Sequence, residues 1–148
     1  MTTRTGNYMI YKLYSKELEN YTTEFFLPDE SLKRLATRLL TLADYKERGY
    51  QVAGVLYVDK EAYLNARLAD TVEDFLYEDR CEKETRNKYR AGQMDKDVYL
   101  DTMRMIQDFK WTCLKKLDMQ IRRMMREGFN IENEIALQLY DQYIKAIL

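Results

Sequence analysis

The stretch from Asp95 to Arg126 constrains the fold most, because it has the pattern of one long amphipathic helix. Asp95 suits the first position and Gly128 suits the left-handed residue that ends many helices. Apolar residues recur at helical spacing on a stripe about 120° wide, and cations occupy the opposite side. We therefore expect a helix over 95–127. Its apolar stripe comprises Tyr99, Met103, Ile106, Cys113, Leu114, Leu117, Ile121, Met124 and Met125.

A second long helix is expected over 60–90, immediately before the first. Gly92 and Gln93 mark the turn between them, and so short a connection makes the two helices antiparallel. With the turn centred near residue 93, apolar residues face one another, as a helical hairpin requires. The expected pairs are Phe75 with Trp111, Val72 with Leu114, Leu68 with Leu117, and Leu64 with Ile121.

The first third of the chain predicts a small β layer with one packed helix. Strands are expected over 8–14, 21–27 and 50–58, where aromatic and β-branched residues cluster. A short helix beginning at Ser15 is the alternative to the second strand. A helix is expected over 30–48, because its apolar residues share one face. That face comprises Leu32, Leu35, Ala36, Leu39, Leu42 and Ala43.

A last helix is expected over 131–147, with Asn130 as its cap. Together the elements predict a mainly α protein of the α+β class. It would hold a small N-terminal β layer, one packed helix, a long helical hairpin and a C-terminal helix. A chain of 148 residues is long enough for one hydrophobic core and short for two, so residues 1–148 are expected to form a single domain.

The composition argues against most kinds of active site. The chain has no histidine, which removes the commonest general base and the commonest metal ligand. Five scattered glycines form no phosphate-binding loop. Cys81 and Cys113 alone are too few soft ligands for a zinc site. We therefore expect a protein that is not an enzyme and that binds no metal and no cofactor.

The expected location is the cytoplasm. The N-terminal sequence lacks the apolar segment of a signal peptide, and nowhere do 18 apolar residues run together, so no membrane association is expected. Cys81 and Cys113 are interpreted as reduced thiols, with a disulfide between them as the alternative.

Three apolar residues near the hairpin turn, Tyr99, Met103 and Ile106, are the first candidate binding site. In the expected register they face the charged residues Asp79, Glu82 and Arg86. The strip they form would then be left uncovered by its own partner helix, unless another part of the chain folds over it. Six of the eight methionines lie on or beside this helix, and methionine is common on surfaces that adapt to a partner.

The function expected from this strip is non-enzymatic binding. A small cytosolic adaptor or inhibitor would dock a protein partner, or a second copy of itself, through its hairpin. The chain length also suits an inhibitor encoded by a phage or a plasmid.

The cationic side of the same helix suggests an alternative, a nucleic-acid-binding regulator. Such a face could contact phosphates, and Trp111 could stack on a base. The competing interpretation is a solvated face whose cations complement the helix C-terminus. The cations are Lys115, Lys116, Arg122, Arg123 and Arg126.

An acidic row on the preceding helix is a weaker candidate. Carboxylates at this spacing can hold Mg²⁺ when a second acidic helix faces them, but here the facing helix is basic. A solvated face, or ion pairs across the hairpin to Arg104 or Lys110, is the preferred interpretation. The row comprises Asp70, Asp74, Glu78 and Glu82.

Overall fold

A computed structural model of the chain describes residues 6–145. It confirms the mainly α, α+β fold, and each predicted element is present with its bounds shifted by a few residues. The element order is β1 (Tyr8–Ser15), β2 (Asn20–Phe26), α1 (Leu32–Glu47), β3 (Tyr50–Val58), α2 (Lys60–Arg90), α3 (Lys96–Arg126) and α4 (Glu134–Leu139), followed by a π-helical segment (Tyr140–Lys145). The last two residues of the predicted 131–147 helix lie outside the described residues.

The chain divides into two compact units, residues 1–63 and 64–148. The first contains the sheet, α1 and the opening turn of α2. The second contains the rest of α2, α3, α4 and the π-helical segment. The expectation of a single domain stays a prediction.

In the first unit, β1 is the central strand of an antiparallel sheet with the order β2-β1-β3. The alternative of a helix beginning at Ser15 is wrong, because Ser15 pairs with Asn20 on one side and Tyr50 on the other. Met9 and Tyr11 are buried with Phe26 on one face of the sheet. On the other face, the ring of Tyr63 packs 4.9 Å from that of Tyr8.

Helix α1 lies on the face of the sheet that carries Met9 and Tyr11. Ser31 caps α1, since its hydroxyl accepts a hydrogen bond from the Arg34 amide at 3.2 Å. The helix therefore begins at Leu32, slightly later than predicted. Leu42 packs against the buried cluster of the sheet. Two polar contacts fix the helix further, since Arg38 donates to the Tyr11 hydroxyl at 3.1 Å and the Tyr45 hydroxyl donates to the Glu24 carboxylate.

In the second unit, α2 and α3 form the predicted antiparallel hairpin. Gly92 has a φ of 72° in the turn, a conformation that glycine adopts without strain. The buried apolar residues of the pair are Leu64, Leu68, Val72 and Phe75 on α2, and Ile106, Leu114, Leu117, Ile121 and Met124 on α3. No helix among residues 6–145 is both long enough and apolar enough to cross a membrane.

The segment between α3 and α4 is held on α2 by one buried side chain. The Asn65 amide nitrogen donates to the Asn130 carbonyl at 2.9 Å, and its oxygen accepts from the Glu132 amide at 3.0 Å. The predicted cap of the last helix is therefore wrong. Asn133 caps α4 by accepting from the Ala136 amide at 2.9 Å, while the carbonyl of Asn130 serves the contact with α2.

Candidate protein-docking surface on the helical hairpin

Several side-chain contacts across the hairpin differ from the pairs predicted with the turn centred on residue 93. Centring the turn on residue 93 would place Gln107 opposite Asp79, but Asp79 contacts Lys110, and Gln107 instead donates to Glu82 at 3.1 Å. The expected pair of Phe75 and Trp111 stays a prediction. Lys110 lies over the Phe75 ring at 5.0 Å, and Trp111 is turned outwards and is half exposed.

The strip of Tyr99, Met103 and Ile106 is mostly covered in this register. Ile106 is buried, so the expectation of an uncovered strip is wrong at that residue. Tyr99 and Met103 are half-buried. The Tyr99 ring stacks on that of Tyr89 with a centroid distance of 4.1 Å and an interplanar angle of 9°. A role of this strip in partner binding stays a prediction, and α2 covers part of it.

A buried ion cluster explains how charged residues of α2 can face this strip. The Lys110 ammonium lies 2.7 Å from a Glu82 oxygen and 3.0 Å from an Asp79 oxygen, and Arg86 lies 2.7 Å from the other Glu82 oxygen. The predicted ion pair between the acidic row and Lys110 is confirmed at Glu82. Charges opposite an apolar strip are therefore tolerated because they pair with one another.

The pKa directions agree with this geometry. The hydrogen bond from Lys110 holds the pKa of Asp79 below its ordinary value, against the opposing effect of burial. Burial alone would lower the pKa of Lys110, but the bonds to Glu82 and Asp79 outweigh it and raise that pKa. Both groups are therefore held in their charged forms.

A groove lies between α2 and α3 on one side of the hairpin. Its volume is about 260 Å³, and aromatic rings stand on both sides of it. Tyr77 on α2 is 57% exposed and Phe109 on α3 is 54% exposed. The residues lining the groove are Thr71, Asp74, Tyr77, Glu78, Phe109, Thr112, Cys113 and Lys116.

The opposite side of α2 is already occupied. Phe75 and Tyr77 are two residues apart, so they point to nearly opposite sides of the helix. Phe75 packs against Tyr143 of the π-helical segment with a centroid distance of 5.9 Å. The hairpin thus has one side covered by its own chain and one side with exposed rings.

The charges around the groove are asymmetric. Asp74 and Glu78 line its α2 side, and Lys116 lines its α3 side. Burial, with the negative charges of Asp74 and Glu78 close by, raises the pKa of the Cys113 thiol. That thiol is free and protonated at neutral pH, so it adds an apolar surface to the groove rather than a nucleophile.

Tyr77 and Phe109, whose rings flank the groove, are not among the binding residues predicted from the sequence. Val98, Met105 and Phe109 recur at spacings of seven and four residues, which places them on one side of α3 outside the stripe that faces α2. All three are exposed. That spacing could have predicted a second, smaller apolar row on α3, but the larger apolar stripe dominates the pattern of the helix.

The cations of the alternative site lie on the exposed half of α3, although several have partners. Arg122 pairs with Asp118 at 2.7 Å, and Arg123 approaches Glu127 at 3.7 Å. The Lys115 ammonium lies 5.5 Å from the centre of the Trp111 ring. Lys116 lines the groove described above, and Arg126 is exposed in the last turn.

The acidic row is divided by the structure. Glu82 is buried in the ion cluster, whereas Asp74 and Glu78 line the groove. Among residues 6–145, no three side chains of cysteine, aspartate or glutamate are grouped so that they could hold a metal ion.

Comparisons with known proteins give no relative for this arrangement: no family model matches the chain, and no curated protein or solved structure matches it at a significant level.

Proposed function

We propose that the protein is a non-enzymatic binding module, an adaptor or inhibitor, that docks a helix of a protein partner in the groove between α2 and α3. The proposal rests on one observation, the pair of half-exposed rings of Tyr77 and Phe109 on the two sides of that groove. Exposed aromatic side chains beside a depression are the anchors that protein interfaces use most. An amphipathic helix laid between two helices is a recurrent mode of recognition.

The charges of the groove define the partner further. Its helix would present an apolar stripe to Phe109 and Tyr77. A basic residue on the flank facing α2 would meet Asp74 and Glu78. We place this interaction in the cytoplasm, where Cys81 and Cys113 would persist as free thiols.

Site-specific photo-crosslinking in the source cell tests the proposal. A photoreactive amino acid at Tyr77 should give an adduct with one protein, whereas the same group at Leu100 should not. Leu100 is a matched control because it is 48% exposed on α3 and does not line the groove. Equal adducts from both positions would contradict the proposal.

The affinity of the purified partner then provides the quantitative test. Phe109→Asp should weaken binding by about 30-fold or more, the loss typical of an aromatic anchor. Leu100→Asp should leave the affinity within about twofold, since rim residues carry little binding energy. Binding should weaken only moderately between low and high salt, because the rings of Tyr77 and Phe109 would provide most of the contact and only its flank, at Asp74 and Glu78, would be charged.

Nucleic-acid binding through Trp111 and the cationic side of α3 is the second candidate. The cations are Lys115, Lys116, Arg122, Arg123 and Arg126. The observation in its favour is that Trp111 is half exposed with the Lys115 ammonium beside its ring. Fluorescence anisotropy with a labelled single-stranded oligonucleotide tests it. Contact with about five phosphates would give a slope of about −3.5 in log K against log salt, and Trp111→Ala would weaken the binding. Phe109→Asp should have no such effect, so the two substitutions separate the two functions.

A further inference from the structure

The outer edge of β3 is open and carries no charge. The sheet order β2-β1-β3 leaves one side of β3 without a neighbouring strand among the described residues. Gln51, Val52, Ala53, Gly54 and Leu56 are exposed. The strand has no charged residue and no proline, two of the features with which proteins protect a sheet edge.

The other edge of the same sheet is protected differently. β2 carries Glu24, whose carboxylate accepts from Tyr45, and a turn with three charged residues leads into the strand. On β3, the one irregularity is the register shift opposite Lys12 and Leu13, which leaves Ala53 unpaired with β1. A bulge increases twist but does not add charge. The two edges therefore differ most in charge.

A row of exposed apolar residues on α1 stands beside this edge. Arg38, Leu42 and Tyr45 lie on the side of α1 that contacts the sheet. Measured around the helix in one direction from the centre of these three residues, Leu39 is at roughly 90° and Leu40 at roughly 190°. Leu39 is 53% exposed and Leu32 is 81% exposed. The row comprises Leu32, Ala36, Leu39 and Ala43.

Leu39 points along the sheet, and the row lies on the side of α1 that is nearer β3. Ala43 and Val52 line the same groove of about 360 Å³, which places this side of α1 on the β3 side of the sheet. The other residues lining it are Leu13, Leu42, Tyr45, Lys46, Tyr50 and Gln51. Val52 is itself 52% exposed. The exposed row on α1 and the edge of β3 therefore form one continuous surface, which is mainly apolar and has Lys46 and Gln51 at the groove.

We propose that this surface binds a second copy of the chain, with β3 pairing antiparallel to β3 of the copy. The dimer would have two-fold symmetry and a continuous six-stranded sheet. Neutral β3 edges can approach each other without repulsion between like charges, and pairing would satisfy the main-chain groups of both edges. The β3 strand itself offers a charged strand of another protein no complementary side chain, which favours pairing with a copy.

The dimensions of the fold also suit a copy. Paired strands lie about 4.8 Å apart, so helices centred above the line between β1 and β3 in each copy would be about 10 Å apart. Helices pack at 8–10 Å, about that distance.

Leu39 lies ten residues before Gly49. At about 1.5 Å per helical residue and 3.3 Å per strand residue, Leu39 is level with Gly54. A two-fold axis near Gly54 would bring the Leu39 side chains of both copies together.

Sedimentation equilibrium of the full chain tests the proposal. At about 100 μM, where a dimer with a micromolar dissociation constant is saturated, the protein should have twice the 17.9 kDa mass of one chain. Val52→Lys and Leu39→Glu should each raise the dimer dissociation constant about 100-fold or more. Circular dichroism should show both variants folded, because both side chains are half exposed.

Leu40→Glu is the matched control. Leu40 is the next residue on the same helix and is 71% exposed, but it points away from both the sheet and the β3 edge. This variant should stay dimeric, and loss of the dimer on Leu40→Glu would indicate unspecific apolar association. A monomeric wild-type protein, or a dimer that survives both Val52→Lys and Leu39→Glu, would overturn the proposal. A dimer broken by Phe109→Asp instead would place self-association on the hairpin groove.

Discussion

Lys110 lies across the hairpin from Glu82, with 2.7 Å between its ammonium nitrogen and a carboxylate oxygen. The two side chains are 13% and 9% exposed, so the pair is shielded from water and salt. Arg86, Gln107 and Asp79 complete the set of contacts. Removing Lys110 would leave the buried Glu82 carboxylate without its most shielded cationic partner, which costs more than the loss of a solvent-exposed pair.

Lys110→Met should lower the free energy of unfolding by about 2–3 kcal/mol, measured by urea denaturation. Lys83→Met is the control, because Lys83 also contacts Asp79, at 3.4 Å, but is 73% exposed. It should cost less than about 0.5 kcal/mol. Similar losses for the two variants would contradict a shielded cluster.

The stability of the hairpin should fall in acid through Asp79. Its pKa is lower in the folded state than in the unfolded chain, so its contribution is complete above the ordinary carboxyl range, about pH 4, and is lost as the pH falls through the depressed pKa. Lys110 has the opposite sign: its raised pKa stabilises the fold at neutral pH, and that contribution is lost only in strong alkali.

Urea denaturation at several acidic pH values measures the Asp79 effect. Asp79→Asn should be less stable than the wild type at neutral pH, and the difference should shrink as the pH falls. A difference that stayed constant with pH would show that the carboxylate charge contributes nothing.

The helices and strands were predictable from the sequence because their signals are local. The apolar alternation of β1 and the stop at Gly49 depend on neighbouring residues alone. The register of the hairpin depends on which side chains meet at a distance. The centre of a turn fixes such a register only to within about one helical turn, which is why Asp79 faces Lys110 rather than Gln107.

The exposed surfaces were less predictable. The apolar face expected on α1 would cover a sheet, but a three-stranded sheet is narrow, and Leu32 and Leu39 extend past it. Conversely, Glu82 is buried although carboxylates seldom are. Its burial depends on Lys110, which lies 28 residues away in the chain. The groove beside Phe109 likewise exists only once α2 and α3 are in register.

Asn65→Leu should lower the free energy of unfolding by about 2 kcal/mol, because it leaves the Asn130 carbonyl and the Glu132 amide without their side-chain partner. The loss should be local as well as global. Hydrogen exchange of the Glu132 amide, followed by NMR, should become faster. Amides in the middle of α1 should exchange faster only by the factor that the lower global stability accounts for. Unchanged protection of Glu132 would contradict the role assigned to Asn65.

Gln120→Met should raise the free energy of unfolding, by about 1 kcal/mol. The amide nitrogen and oxygen of Gln120 are both buried, and neither has a hydrogen-bond partner among the described residues. Methionine has a similar length and no polar group that requires one. Gln107→Met is the matched control and should lower the free energy of unfolding. Gln107 donates to Glu82, so its loss leaves a buried carboxylate with one hydrogen bond fewer. Thermal and urea denaturation of both variants measures the two changes, and a destabilising Gln120→Met would show that the Gln120 amide contributes to stability.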